Sequence, residues 1–211
     1  MTDEVRRQLP ERAERAFESH EAFERDDDDA WFEVTTTRFE GRVTATETDE
    51  WPLEYTLEVR APTLSEAAAE TVGPAVEEGW FETYALRLED APMAVREDVA
   101  LEDHRVFEEA GDAVAVFVFR YGNADRAPDI AKAMTEYTEG TYVEGVVPGY
   151  QYGPPVSDLL SRATQAPDAS GRDRGDAGDG VDAEEGEDGE DGEDGEDDGG
   201  ADGAGRGPMP M

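Results

Sequence analysis

The sequence predicts an α+β fold: an antiparallel sheet of five or six strands with helices packed on it, in the order α-β-β-β-α-β-β-α. Three observations carry this. Leu53–Arg60 alternates strictly, with Leu53, Tyr55, Leu57 and Val59 on one side and Glu54, Thr56, Glu58 and Arg60 on the other. That is a strand with one buried and one wet face, as antiparallel sheets have. Ala113–Phe119 is apolar on both faces and reads as the central strand. Around these two lie stretches whose apolar residues recur at helical spacing.

The elements follow in order. Residues 3–20 read as a helix, with Val5, Leu9, Ala13, Ala16, Phe17 and His20 on one face. Thr2 is placed to cap it. Pro10 either kinks this helix or sits in its first turn, with the true start near Leu9. Asp26–Asp29 is an acidic loop. Trp31–Phe39 and Arg42–Thr48 read as strands joined by a tight turn at Glu40-Gly41. After Leu53–Arg60, Thr63-x-x-Glu66 is a capping box. It opens a helix through Leu64, Ala67, Ala68, Val72 and Val76, interrupted at Gly73-Pro74 and ended by Gly79. Trp80–Leu88 reads as a strand on the alternation of Trp80, Glu82, Tyr84, Leu86 and Leu88. Within Glu89–Gly111 the pattern is ambiguous; Arg105–Glu109 is either a strand turning at Ala110-Gly111 or a short helix. After Ala113–Phe119, Asn123 or Asp125 caps a helix carrying Ala127, Ile130, Ala131, Met134 and Tyr137, ended by Gly140. This element order resembles the small secretion-chaperone-like fold that type III secretion chaperones share with YbjN-like proteins.

Charge divides the chain. Its 211 residues hold 55 acids and 18 bases, net −37, with one lysine, Lys132, and no cysteine. Residues 168–211 carry −14, so the body carries −23. A body so charged repels itself unless salt screens it; the Debye length is only about 3 Å at 1 M. Acid excess with lysine depletion is the composition of a protein adapted to molar salt, and points to a haloarchaeal cytoplasm. Residues 1–166 are expected to form a single α+β domain. Residues 167–211, with the Gly-Glu-Asp triplets from Gly186 onward, read as a disordered acidic tail that condenses cations only weakly. Neither an EF-hand nor an RTX spacing is present in it.

The same composition excludes chemistry. Without cysteine there are no disulfides, thiolate metal sites or cysteine nucleophiles. Direct nucleic-acid binding lacks its basic surface. The start leads into a charged helix rather than an apolar leader, and the longest apolar run, Ala113–Phe119, is far short of a membrane span of about 20 residues. A cytoplasmic, membrane-free protein is expected. No Walker loop, Gly-x-Gly-x-x-Gly, Gly-x-Ser-x-Gly or His-Glu-x-x-His occurs. His20 reads as a core-edge histidine and His104 as exposed in a polar stretch. Lys132 is flanked by Asp129 and Glu136 and reads as a surface ion pair. No catalytic residue, metal ligand or cofactor is assigned.

One segment stands apart. Ala131-Lys-Ala-Met-Thr-Glu-Tyr-Thr-Glu-Gly-Thr-Tyr-Val-Glu-Gly-Val-Val-Pro-Gly-Tyr-Gln-Tyr-Gly-Pro-Pro-Val-Ser-Asp-Leu-Leu-Ser-Arg-Ala163 resembles the C-terminal signature of an uncharacterised haloarchaeal family, a domain of unknown function. The resemblance spans about residues 1–166 and implies no activity. Physically, residues 141–155 are rich in Gly, Pro and Tyr. Such a loop either wraps its own domain, seating a short helix at Val156–Ala163, or presents Tyr137, Tyr142, Tyr150, Tyr152, Pro154 and Pro155 as an aromatic ledge for a protein partner or a second subunit. The leading expectation is a non-enzymatic protein-binding module, chaperone-like or adaptor. The alternatives are an enzyme with a carboxylate-based site and a polyanion that mimics nucleic acid to bind basic proteins.

Overall fold

Strand β4 (Leu53–Pro62) organises the molecule. Its odd-numbered residues from Leu53 to Ala61 are all buried, and the residues between them are half-buried. The structure, a computed structural model, describes residues 9–26 and 30–165. The Thr2 cap, part of the acidic loop and the acidic tail lie outside the described residues.

Six strands form one antiparallel sheet in the order β1-β2-β3-β4-β6-β5. They are β1 (Phe23–Arg25), β2 (Phe32–Val34), β3 (Glu40–Thr46), β4, β5 (Leu101–Glu109) and β6 (Asp112–Tyr121). Helices α1 (Glu11–Glu18), α2 (Leu64–Ala67), α3 (Pro74–Leu88), α4 (Ala127–Gly145) and α5 (Val156–Gln165) accompany it, with 3-10 turns at Ala91–Ala94 and Ala124–Arg126. The expected fold class is the observed one. The core lies between one face of the sheet, through Tyr55, Leu57, Phe117 and Phe119, and the apolar sides of α1, α3 and α4.

Several elements differ from the sequence reading. Within the described residues the first helix begins after Pro10, whose ring occupies the N-cap position. Strand β1 is too short to leave a periodic trace. Trp31–Phe39 is strand only over Phe32–Val34, and the β2–β3 connection runs through residues 35–39, not Glu40-Gly41. Gly41 lies inside β3, where a Cβ would stand 2.7 Å from Cγ2 of Thr135 on α4. Its glycine answers a close approach of helix to sheet.

Thr63 does cap α2, accepting the Glu66 N–H at 3.4 Å, but the capping box is not reciprocal. The Thr63 N–H donates to the Gly111 carbonyl, while Glu77 on α3 accepts from the Leu64 and Ser65 N–H groups. The helix stops after Ala67, and a new one starts with Pro74 in its first turn. Trp80–Leu88 is therefore helix, not strand, and Gly79 is interior to it. Trp80, Tyr84 and Leu88 are its buried face, four residues apart. Leu86, which the alternating reading turned inward, is 65% exposed.

The hairpin reading of residues 105–111 matches the structure. Ala110 and Gly111, with φ of 54° and 93°, make the two-residue turn between β5 and β6. Strand β6 lies between β4 and β5 and is buried on both faces, but helices cover only one of them. On the other, Val114 lies between Arg60 and Phe107, and Val116 between Glu58 and Arg105. Long side chains roof this face: Arg60 reaches Glu58 at 2.8 Å and Glu109 at 2.6 Å, and Arg42 reaches Glu58 at 2.9 Å. Asn123 caps the 3-10 turn that leads into α4, and α4 runs through Gly140 to Gly145.

Candidate functional site

The late course of α4 rearranges the tyrosines. Helix extension past Gly140 carries Tyr142 into the core, where it is fully buried. Its ring meets Phe39 (4.8 Å), Trp80 (5.3 Å) and Tyr84 (5.8 Å) edge-on, and Trp80 stacks on Tyr84 at 5.3 Å with 9° between planes. Tyr142 is thus a packing residue and no part of an accessible ledge. Tyr137, half-buried, donates its hydroxyl to the Arg87 carbonyl (3.1 Å), which also accepts the Asp90 N–H at the end of α3 (3.1 Å).

The segment after α4 is laced to α2. Ala69 N–H donates to Gln151 O (2.7 Å), Gly153 N–H to Ala67 O (2.9 Å), and Gln151 N–H to the Glu70 carboxylate (3.0 Å). Tyr152 donates to the Val147 carbonyl at 2.7 Å, and burial raises its hydroxyl pKa. Tyr150 is half-buried, its ring 6.4 Å from that of Tyr152. Pro154 is exposed, Pro155 is half-buried, and the bond between them is cis. The six ledge residues do not share one surface.

The groove in this region is lined by none of them. Between α3 and the end of α4 lies a cavity of about 230 Å³, lined by Trp80, Tyr84, Arg87, Thr141 and Val147, with Gly79 and Gly145 at its edges. Two of its lining residues hold a buried polar atom with no hydrogen-bond partner in the protein, Trp80 Nε1 and Tyr84 OH, and Tyr142, packed edge-on against both rings, holds a third in its hydroxyl. Leaving such groups unpaired costs about 1–3 kcal/mol each, so their grouping at one place is informative. Burial pushes the hydroxyls of Tyr84 and Tyr142 well above the ordinary tyrosine range, so both stay protonated and able to donate. Arg87 Nη1 and Glu144 Oε2 face each other across the two helices at 3.9 Å.

The glycines have no structural excuse. Gly79 sits in the interior of α3, yet a Cβ there would meet nothing within 4 Å. Gly145 closes α4 without a positive φ, and its Cβ would stand 3.7 Å from Trp80 Nε1, an ordinary contact. Neither turn geometry nor crowding demands glycine at either place. Their common property is the open space they leave in the groove.

The histidines are accounted for by packing. His20 accepts the Ala22 N–H on Nδ1 (3.2 Å) and faces Asp129 with Nε2 (3.2 Å), its ring against Phe23. His104 is half-buried rather than exposed; it stacks on Phe117 at 5.0 Å, and burial lowers its pKa. The two flank opposite edges of the sheet. Lys132 pairs with Glu136 at 2.6 Å, while Asp129 goes to Arg126 and His20. Among the described residues no carboxylate is buried, no three potential ligands converge on a metal position, and no helix is long and apolar enough to cross a membrane.

Sequence reasoning missed Trp80, Tyr84, Gly79 and Gly145. The signal available was Pro74 followed by Trp80, Tyr84 and Leu88 at four-residue spacing, which fits a helix as well as a strand.

The sheet, its layer of helices and the groove define an α+β protein with an aromatic cleft between two helices. The chain belongs to a family of unknown function (DUF5813), whose model matches residues 18–162. No curated protein and no solved structure matches it.

Proposed function

We propose that this chain is a non-enzymatic protein-binding module of a salt-rich, halophilic cytoplasm, and that the α3–α4 groove seats an apolar anchor of its partner. The observation that carries the reading is the coincidence of two unpartnered aromatic polar atoms, Trp80 Nε1 and Tyr84 OH, with two sterically unneeded glycines around one cleft. Folding alone selects against both: the polar atoms cost stability, and a glycine in a helix interior costs about 1 kcal/mol relative to alanine. Leu86 and Val76, exposed on the same helix, add apolar surface beside the cleft. The halophilic setting is supported by the net charge of −37 and the single lysine.

The test is capture in 3 M KCl from a homologous extract, comparing the full chain with Gly79→Leu, whose side chain fills the groove. Partners retained by the natural chain are expected to be lost from the variant. An identical captured set sinks the assignment of the groove as the binding face.

A further inference from the structure

Exposed apolar surface gathers on one element. Among the described residues five large apolar side chains are exposed: Trp51, Val76, Leu86, Met93 and Phe107. Val76 and Leu86 lie on α3, and Met93 lies in the 3-10 turn that follows it. We infer that α3 is a self-association face, on which a second copy of this chain packs its own α3 antiparallel; this rests on the groove being the partner-binding face, and makes Leu86 the apolar anchor.

Knob and hole lie on the same helix. Val76, Gly79, Thr83 and Leu86 follow one another at intervals of three, four and three residues, so they share one face of α3. All four are exposed, Val76 by 36% and Leu86 by 65%. Gly79 and Thr83 also line the cleft. A Cβ at Gly79 would meet nothing within 4 Å, so there is room above it. Thr83 turns its hydroxyl back on the Gly79 carbonyl at 2.8 Å, so its proton needs no acceptor from outside. A surface that carries both a projecting leucine and a bare site fits a copy of itself, because in a twofold contact each patch supplies the knob for the other's hole. Residues 79 and 86 are equidistant from the midpoint between Glu82 and Thr83. One antiparallel register therefore seats both copies of Leu86 over both copies of Gly79.

Charge selects the antiparallel order. The first turn of α3 carries Glu77 and the last carries Arg87. Antiparallel packing brings each acidic first turn to a basic last turn, while parallel packing sets like against like. The opposed helix dipoles agree with this. In the same register Glu82 approaches its own counterpart, and that repulsion is screened beyond about 3 Å in molar salt. A helix of 15 residues is about 22 Å long. A contact of that length is smaller than the roughly 800 Å² per partner of a standard interface. The association is therefore weak and depends on concentration.

The test is static light scattering on the full chain in 3 M KCl, from about 10 to 500 µM protein, the range in which a small interface is read. The mass is expected to rise from that of one chain towards that of two. Leu86→Gln and, independently, Gly79→Leu raise the dissociation constant at least tenfold while circular dichroism stays unchanged. Trp51→Ser, at an exposed apolar residue elsewhere, leaves it within twofold. Because the chain has no cysteine, Thr83→Cys, beside the twofold axis, is expected to oxidise to a covalent dimer at least five times faster than Gly140→Cys on α4. A mass that stays at one chain throughout overturns the self-association. If Gly79→Leu still abolishes partner capture in that case, the groove remains the binding face and only its occupant is wrong. A dimer indifferent to both Leu86→Gln and Gly79→Leu uses another face and overturns the inference equally. Equal oxidation rates for the two cysteine variants overturn the antiparallel register.

Discussion

Gly79→Ala and Gly140→Ala form a matched pair that separates folding from function. Both glycines lie inside helices, α3 and α4, and at neither would a Cβ meet anything within 4 Å. Neither has a positive φ, so alanine is compatible with the backbone. Each substitution removes the helix-interior glycine penalty of about 1 kcal/mol. For a body of this size that raises Tm by about 2–4 °C. The two differ in what the new methyl faces. Gly79 lines the cleft and Gly140 does not. Both variants should therefore melt higher in calorimetry at fixed salt, and only Gly79→Ala should weaken partner capture. A fall in Tm for Gly79→Ala would mean that its surroundings are more crowded than the contacts show. Equal loss of capture in both variants would mean that helix flexibility, not groove space, matters. Either result refutes the reasoning.

Three further outcomes are expected. Tyr142→Phe deletes a buried hydroxyl without a partner and should leave stability unchanged or raise it by up to about 1 kcal/mol, while Tyr142→Ala should cost about 3–5 kcal/mol; urea melts decide, and a clearly destabilising Tyr142→Phe would reveal a partner for the hydroxyl. His104 is held neutral by burial, against the opposing pull of Glu89 and Asp103, so its folded pKa lies below its unfolded value. The unfolded chain then takes up its proton first, and stability is full above about pH 6.5 and lost as pH falls through the folded pKa; Tm measured at pH 7.5 and pH 5 should drop more for the natural chain than for His104→Gln, and parallel curves would contradict this. A body of −23 should melt higher in 3 M than in 0.1 M KCl, and equal Tm values would remove the halophilic reading.

The parts of the fold that could be read from sequence are those where one physical demand acts alone. Strand β4 has a core on one side and solvent on the other, so its alternation is complete. Strand β6 is dry on both faces, and its apolar run says so. Helix α3 obeys two demands at once: it packs Trp80, Tyr84 and Leu88 inward, and it exposes Leu86 and Gly79 beside a cleft. Its apolar residues consequently mimic an alternating strand, and its glycine mimics a terminator. The same holds for Gly140, a glycine in helix α4 that no local rule distinguishes from a helix end. Tyr142 was legible as part of an aromatic cluster but not as core, because its placement depends on α4 continuing through that glycine. Strand β1 and the roof of ion pairs over β6 are tertiary facts, set by pairing partners far along the chain.

On the proposed reading, the distribution of charge gives a reason for recognition to fall to this cleft. The described body carries its acids on the outside, where they solvate the chain and repel its neighbours. In molar salt such charges are screened beyond about 3 Å, so they confer little long-range selectivity. Contacts that survive screening are apolar packing and short hydrogen bonds. The groove between α3 and α4 is built of such groups, with Trp80 and Tyr84 along it, their own Nε1 and hydroxyl unpaired, and only Arg87 charged among its lining residues. Aromatic walls are also cheap to order, since their rings are already fixed by stacking on one another. On that reading an acidic surface for solubility and an aromatic cleft for contact are two answers to one ionic environment, and the glycines at 79 and 145 leave the edges of the cleft open.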